Sequence, residues 1–327
     1  MRALALFSGG LDSMLAIKLI SDQNIDVIAL HVDIGFDSKK DKSEILQTRA
    51  AKAGASKLEV LDVRQQYIQE ILFSPKYGYG KNINPCIDCH GFMFRLALEL
   101  LPRFDASFVI TGEVIGQRPM SQRSAALKVV QNLAGDNDRL IVRPLCAKRL
   151  ELTLPEEKGW IDREKLLDIT GRNREVQMEL AKQYGFDDYE SPGGGCLLTH
   201  KAYSDRIKDV IANDTFDIED AKLLKCGRHL RLPGGAKLVI GRDEADNLAL
   251  EKLKLSKYNP IDLHGLKGPM GYLHVNANNE DSKLAVKLML TYARTNKEQI
   301  YPVSVGKTIY HENPLPSKAA AQAYLVH

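Results

Sequence analysis

Short apolar runs alternate with helical patterns through about residue 145. Runs of strand length fall at Leu4–Phe7, Val27–Val32, Leu58–Leu61, Phe108–Ile110 and Leu140–Val142, and apolar positions recur at helical spacing in Leu11–Ile20, Glu44–Lys52, Gln65–Leu72 and Phe92–Leu101. This alternation predicts right-handed βαβ crossovers and an α/β, doubly wound parallel sheet, with ligands bound at the carboxyl ends of its strands. Residues 146–190 are more polar and read as helical at Arg163–Ile169 and Arg174–Tyr184, a tail packed beside the sheet. After Gly193-Gly194-Gly195 the pattern changes: Arg228–Ile240 alternates apolar and polar residues around Pro233-Gly234-Gly235, a hairpin signature, and Ser282–Tyr292 reads as a helix. The predicted organisation is a doubly wound domain over residues 1–199 and a smaller α+β domain over 200–327.

Composition adds bounds to that picture. A chain of 327 residues with 44% hydrophobic content exceeds the size at which one core keeps growing, which supports two domains. The net charge of +3 decides little, but residues 200–327 carry 19 Lys and Arg against 15 Asp and Glu, while residues 1–199 carry 26 against 27. Polyanion contact would therefore lean toward the C-terminal part. No signal peptide or membrane span is legible, so a cytoplasmic protein without membrane contact is expected. Five cysteines in a reducing compartment argue against a disulfide framework and ask for a metal or redox explanation where they cluster.

The chemistry begins at residues 8–13, SGGLDS, set between the first strand and the first helix. A strand that ends in Ser-Gly-Gly and turns into a helix points several backbone N–H groups into one hollow, backed by the helix dipole, and such a hollow binds phosphate. No lysine follows the glycines, so this is not the loop of nucleotide triphosphatases that cleave at the γ-phosphate. It resembles the PP-loop of enzymes that split ATP between α and β, releasing pyrophosphate. His31-Val32-Asp33, ending the second strand, would lie beside the nucleotide; His31 reads equally as a strand terminator and as an adenine contact through its backbone.

A second constellation is Cys86-Ile-Asp-Cys89 together with Cys196 in SPGGGCLLT. Two thiolates at i and i+3 of a helix start can share one metal, and a cysteine on a glycine-rich loop can swing in as a third ligand. Four readings compete: covalent haem attachment, which belongs to exported proteins; structural zinc with His90, Cys146 or Cys226 as fourth ligand; a metal-free redox pair or persulfide relay; and a three-cysteine [4Fe–4S] cluster with one open iron, favoured by the context that follows. Cys146 and Cys226 otherwise read as buried apolar fillers.

Residues 111–122 read TGEVIGQRPMSQ and residues 143–145 Arg-Pro-Leu. With SGGLDS these resemble the ATP-pyrophosphatase domain of tRNA 4-thiouridine synthases over about residues 1–200. The resemblance implies that Leu6 and Phe7 with the loop residues Ser8, Gly9, Gly10, Asp12 and Ser13, then His31, Val32, Gly112 and Gln122, contact ATP. Gly112 would let the backbone approach a ligand closely, and Gln122 offers both a donor and an acceptor. Asp12 would support Mg²⁺ or orient the loop, Lys148 would neutralise charge developing on phosphate, and Cys196 falls where the family keeps its catalytic cysteine. Cys86, Cys89 and Cys196 resemble the subset whose cysteines hold a [4Fe–4S] cluster, the open iron carrying hydrosulfide. An adjacent metal or a helix N-terminus would keep Cys196 a thiolate. Two departures stand out. Only Arg95 matches the family's arginine-rich helical segment, leaving the contact near His90 in question, and the THUMP module that grips tRNA is absent.

Residues 226–310 resemble the RNA-binding domain of the NFACT proteins, through Ile240-Gly241-Arg242, His264 with the following GPMG, Tyr272-Leu273-His274-Val275, a helix Lys283–Tyr292 and a Pro302-Val303 strand. The competing role is dimerisation, giving a homodimer, or covering of the active site. Val305-Gly306-Lys307-Thr308 is no second phosphate loop, since Tyr301 replaces the required glycine. The implied activity is ATP-dependent sulfur transfer to a uridine of tRNA or another RNA, with sulfide or a cysteine desulfurase as donor. Alternatives are 2-thiouridine formation, an amide ligase, which would not need the three cysteines, and an AMP-sensing RNA-binding factor, which would tolerate loss of Asp12.

Overall fold

The computed structural model describes residues 1–37, 43–189 and 195–326. The chain divides into two compact units, Met1–Thr199 and His200–His327. In the first, five parallel strands lie in the order β3-β2-β1-β4-β5: β1 (Arg2–Leu6), β2 (Asp26–Asp33), β3 (Lys57–Asp62), β4 (Phe108–Thr111) and β5 (Ile141–Val142). β1 is central because the chain first winds outward to β2 and β3, then returns to its other side with β4. Its residues Ala3, Leu4 and Ala5 are buried, as a strand covered on both faces requires. The reversal beside β1 is the topological switch point, where a crevice opens at the carboxyl ends of the strands.

Helices α1 (Leu11–Ser21) and α2 (Ser43–Ala53) follow β1 and β2. α1 buries Met14, Leu15, Ile17 and Ile20 together, so its apolar character runs round the helix. Truncating any of these four side chains to alanine costs about 2–5 kcal/mol. Next come α3 (Arg64–Tyr67), continued by a π-helical turn Ile68–Leu72, then α4 (Cys86–Glu99), α5 (Ser124–Ala134), α6 (Leu154–Glu157) and α7 (Glu175–Gln183). α4 starts six residues before the apolar periodicity becomes visible at Phe92, and α5 has no counterpart among the predicted helices. Gly91 lets α4 and α5 come close, since a Cβ there would lie 2.6 Å from that of Leu133. The helix expected at Arg163–Ile169 is replaced by a 3₁₀ turn, Arg163–Lys165, capped by Asp162. Beyond it the backbone runs alongside residues 144–148: Leu167 N donates to Pro144 O, Ile169 N to Leu145 O, and Leu167 O accepts from Lys148 N. That pairing overrides local helix preference.

The second unit holds an antiparallel sheet in the order β11-β10-β8-β9-β7-β6. Helices α8 (Lys201–Ile211) and α9 (Ile218–Leu223) precede β6 (Arg228–Arg231) and β7 (Lys237–Ile240), the predicted hairpin, in the register Arg228↔Ile240. Then follow α10 (Glu244–Glu251), β8 (Tyr258–Asp262), β9 (Gly271–His274), α11 (Asn279–Tyr292), β10 (Tyr301–Val305) and β11 (Thr308–Glu312). Its core packs Val286 and Met289 of α11 against Leu230, Leu238, Leu273 and Val303.

Candidate active site

A cavity of about 550 Å³ opens at the carboxyl ends of β1, β2 and β4, lined by Leu6–Ser8 and Gly10–Ser13, by Leu30–Val32, by α4 residues, by residues of the 111–122 segment and by Arg174 and Cys196. At one end stands the phosphate loop. Gly9 takes φ +76°, open to glycine at little cost, and Gly10 caps α1. The Gly10 carbonyl accepts from Ser13 N (3.1 Å), Met14 N (3.1 Å) and Ser13 Oγ (2.8 Å), so Ser13 ties the loop to the first helical turn. On the side of α2, buried Arg49 donates to Gly9 O (3.1 Å) and forms a two-point ion pair with Asp188 (2.8 and 3.2 Å). The His31 ring donates through Nδ1 to Phe7 O (2.9 Å), bracing β2 against the start of the loop; a carbonyl only accepts, so Nδ1 carries the proton.

Asp12 Oδ2 accepts from Gln117 Nε2 (2.6 Å) and Arg174 Nη2 (3.4 Å), while Asp12 Oδ1 is buried without a partner. Gln122 is also buried, with Oε1 unpaired. Among the described residues, Asp12, Gln122 and Arg174 are side chains with such orphaned buried atoms that line this cavity. Buried polar groups are otherwise almost always paired, so these atoms mark a place for a polar ligand. Gly112 earns its place differently from the expectation. A Cβ there would meet the Asp12 backbone at 2.4 Å and Ser13 N at 2.6 Å, so the missing side chain lets β4 pack on the phosphate loop itself.

At the other end stand the thiols. Pro85 precedes α4, which places Cys86 in its first turn and Cys89 one turn on; Asn84 Nδ2 donates to Cys86 Sγ (3.2 Å). Cys196 is fixed by a β-bridge to Asp37 and by Leu197 N donating to Phe36 O (2.8 Å). Gly195 lines the cavity, whereas Gly193 and Gly194 lie outside the described residues. Burial pushes the Cys196 thiol up to about 12, eased by the backbone N–H of Leu198 and raised further by Cys86 and Asp37. Cys89 is driven higher still, first by burial and then by Cys196. Of the two expected sources of thiolate character at Cys196, an adjacent metal or a helix N-terminus, the second is here only a short 3₁₀ turn, Leu197–Thr199. Among the described residues no three His, Cys, Asp or Glu side chains are gathered closely enough to hold a metal ion. The donor set nevertheless suits a group with three thiolate ligands, because all three thiols face one cavity and influence each other's charge.

Between the two ends lies a buried ion-pair chain that the sequence motifs contain but did not reveal. His90 Nδ1 donates to Glu113 Oε1 (2.7 Å) and Arg143 Nε to Glu113 Oε2 (2.9 Å). Burial alone would raise the Glu113 carboxyl, but Arg143 and His90 hold it below the ordinary range. His90 faces the cavity, while Arg95 points away and pairs with Glu70.

Leu6, Phe7, Ser8, Gly10, Asp12, Ser13, His31, Val32, Gly112, Gln122, Cys86, Cys89 and Cys196 all line the one cavity. Two sequence-derived residues do not. Gly9 supports the loop from behind. Lys148, expected near phosphate, instead binds Glu164 through its carbonyl (2.8 Å) and carboxylate (3.2 Å), because the 166–169 strand-like segment holds it on the other side. Arg174 was missed; no periodic or motif signal singles it out. Cys146 and Cys226 are core residues, as expected.

The first unit is a parallel five-stranded sheet with the SGGLDS strand–helix turn after β1. The argininosuccinate synthase N-terminal HUP domain family matches residues 2–77, and the NFACT protein RNA binding domain family matches residues 227–325, the region that carried the same resemblance in the sequence. The chain is 32% identical over 130 residues to the tRNA-specific 2-thiouridylase MnmA of Petrotoga mobilis, covering 35% of each chain. It is 26% identical over 168 residues to the probable tRNA sulfurtransferase of Thermococcus kodakarensis, covering 51% of this chain and 39% of that one. It therefore spans well under two thirds of these curated relatives. A solved 4-thiouridine synthetase–RNA complex with bound ATP is similar over 56% of this chain and 40% of that one, at 21% identity and a TM-score of 0.39.

Proposed function

We propose that this protein is an ATP-dependent tRNA sulfurtransferase that forms thiouridine. The observation that carries the reading is the joining of a phosphate loop and three cysteine thiols in one cavity. The uridine carbonyl oxygen attacks the α-phosphorus of ATP; the bond to the β-phosphate oxygen breaks, and pyrophosphate leaves with Mg²⁺. Loop N–H groups and the α1 dipole would hold the phosphates, Asp12, with its unpaired Oδ1, would serve the magnesium of ATP, and Gln122 would offer its unpaired oxygen to the nucleotide. Hydrosulfide-level sulfur then attacks the activated carbon, and AMP departs with the original oxygen.

Cys86, Cys89 and Cys196 would hold a [4Fe–4S] cluster, which supplies an iron without a protein ligand where sulfur binds. What supports this reading is that all three thiols line the same cavity. The second unit is the RNA-binding part, and its basic excess predicts affinity that falls steeply with salt. Attack by the O4 carbonyl, giving 4-thiouridine, is the reading carried from the site motifs; the similarity to the Petrotoga 2-thiouridylase favours O2 as the second reading. Anaerobic incubation with ATP, Mg²⁺, sulfide and unmodified tRNA tests all of this. AMP, pyrophosphate and a thionucleoside identified by mass spectrometry against standards are expected, and ADP with phosphate as main products would overturn the assignment. Among the described residues no helix is long and apolar enough to cross a membrane, and a cytoplasmic setting suits a tRNA substrate.

A further inference from the structure

A magnesium-bound triphosphate keeps net negative charge, and the SGGLDS loop brings no lysine to offset it. Lys148 does not reach the cavity, since Glu164 holds it elsewhere. Among the described lining residues the only lysine or arginine cations are Arg118, which is exposed, and Arg174, whose side chain is 13% exposed. Arg174 stands just before α7, and its surroundings are pinned to residues 115–117. Gly171 N donates to Ile115 O (2.7 Å), Ile115 bridges Thr170, and fully buried Gln177 donates to Gln117 Oε1 (3.3 Å). Gln117 and Arg174 then converge on the same Asp12 oxygen.

Three buried atoms in this arrangement lack partners, Arg174 Nε, Asp12 Oδ1 and Gln177 Oε1; in the Asp12–Arg174 pair itself a donor, Arg174 Nε, and an acceptor, Asp12 Oδ1, are left open. A pair built only to brace the fold would close both ends, because an unpaired buried charge-bearing group is costly. The long 3.4 Å contact between them leaves each able to exchange its partner.

We propose that Arg174 is the phosphate-binding cation of this site. ATP·Mg²⁺ takes the place of the Asp12–Arg174 pair: the guanidinium turns its free Nε–H and an Nη–H onto phosphate oxygens, where planar two-point donation fits best, and the released carboxylate turns to magnesium. This deepens the ATP reading given above and rests on it. The loop thus draws from a helix 162 residues further along the chain what other phosphate loops draw from an adjacent lysine.

Calorimetric titration of the full chain with ATP·Mg²⁺ and with adenosine tests the assignment. Arg174→Ala and Arg174→Gln are expected to weaken ATP·Mg²⁺ by roughly 10- to 100-fold while leaving adenosine within about twofold, and Arg174→Lys to recover part of the loss. Asp12→Asn is expected to remove the magnesium dependence of ATP binding but keep its dependence on Arg174. Equal ATP affinity in wild type and Arg174→Gln would overturn the proposal, as would parallel loss of adenosine and ATP, which marks a structural brace. If Arg174→Ala does not fold, the charge contrast between Lys and Gln decides. Wild-type protein that binds adenosine but shows no gain from the triphosphate would remove the ATP reading itself, and this assignment with it.

Discussion

The two ends of the cavity are built on opposite principles. At the phosphate end almost every group is set by main-chain geometry: Gly10 caps α1, Ser13 closes the turn, Gly112 packs against the Asp12 backbone, and the side-chain atoms left over wait for a ligand. At the thiol end the groups share space but not readiness, because burial holds Cys89 and Cys196 protonated. A preorganised electrostatic site costs nothing further when substrate arrives, whereas a desolvated nucleophile needs a cation before it reacts. The lesson is that ATP binding should survive damage to the cysteines, and metal content should survive damage to the loop.

The sharpest way to break this separation is to delete chemistry at one end and read the other. Asp12→Ala and Ser13→Ala are expected to cut pyrophosphate release by roughly 100-fold or more, measured with ATP, Mg²⁺ and tRNA, while iron content after anaerobic reconstitution stays unchanged. Loss of iron in these variants would show that the ends are one cooperative structure. In the reverse direction, alanine at Cys86, Cys89 or Cys196 should abolish thiolation and lose or degrade the cluster while ATP affinity is kept. Cys146→Ala and Cys226→Ala should leave both intact. Colourless protein with stoichiometric zinc, or full activity without iron, would replace the cluster by the zinc or persulfide reading.

A smaller effect is expected at the junction of β4 and the loop. Gly112→Ala should lower stability by about 1–3 kcal/mol, seen as a drop in Tm, and weaken ATP binding, since the new methyl group must push back the Asp12 peptide. Unchanged Tm and affinity would mean that the contact is loose. The mildest test is chemical. In metal-free protein, alkylation of Cys196 should be slow at pH 9 and rise about tenfold per pH unit toward its value of about 12. The sign for stability follows the same shift: the raised folded-state value favours the fold up to the ordinary thiol value, and that contribution is lost as pH climbs toward about 12. Rapid alkylation at pH 8 would show that burial does not restrain the thiol.

What the sequence made legible was what is local. SGGLDS declared itself because consecutive residues at a strand–helix turn carry it, and β1, β2, β4 and β5 did so because buried parallel strands are continuous apolar runs, whereas β3 is an exposed edge strand. Long-range pairings left no such trace. Residues 163–169 carry a helix-like pattern, yet hydrogen bonds to Pro144 and Leu145 draw Leu167 and Ile169 into an extended path, and the same pairing takes Lys148 away from the phosphates. Glu113 and Arg143 were both inside quoted motifs, but nothing in one dimension says that Glu113 bonds both Arg143 and His90. Arg174 sits in a polar stretch whose meaning depends wholly on Gln177 being buried against Gln117.

The contacts that finish the phosphate loop join residues made at very different times in synthesis. Arg49 grips Asp188, 139 residues later, and Asp12 meets Arg174 only after 162 more residues have been added. A ribosome that has produced SGGLDS and the whole parallel sheet has made Arg49, which donates to Gly9 O, but not yet its partner Asp188, the guanidinium beside Asp12, or Cys196. The contacts that close the SGGLDS turn and the thiol that shares its cavity are thus completed within the same last stretch of the first unit.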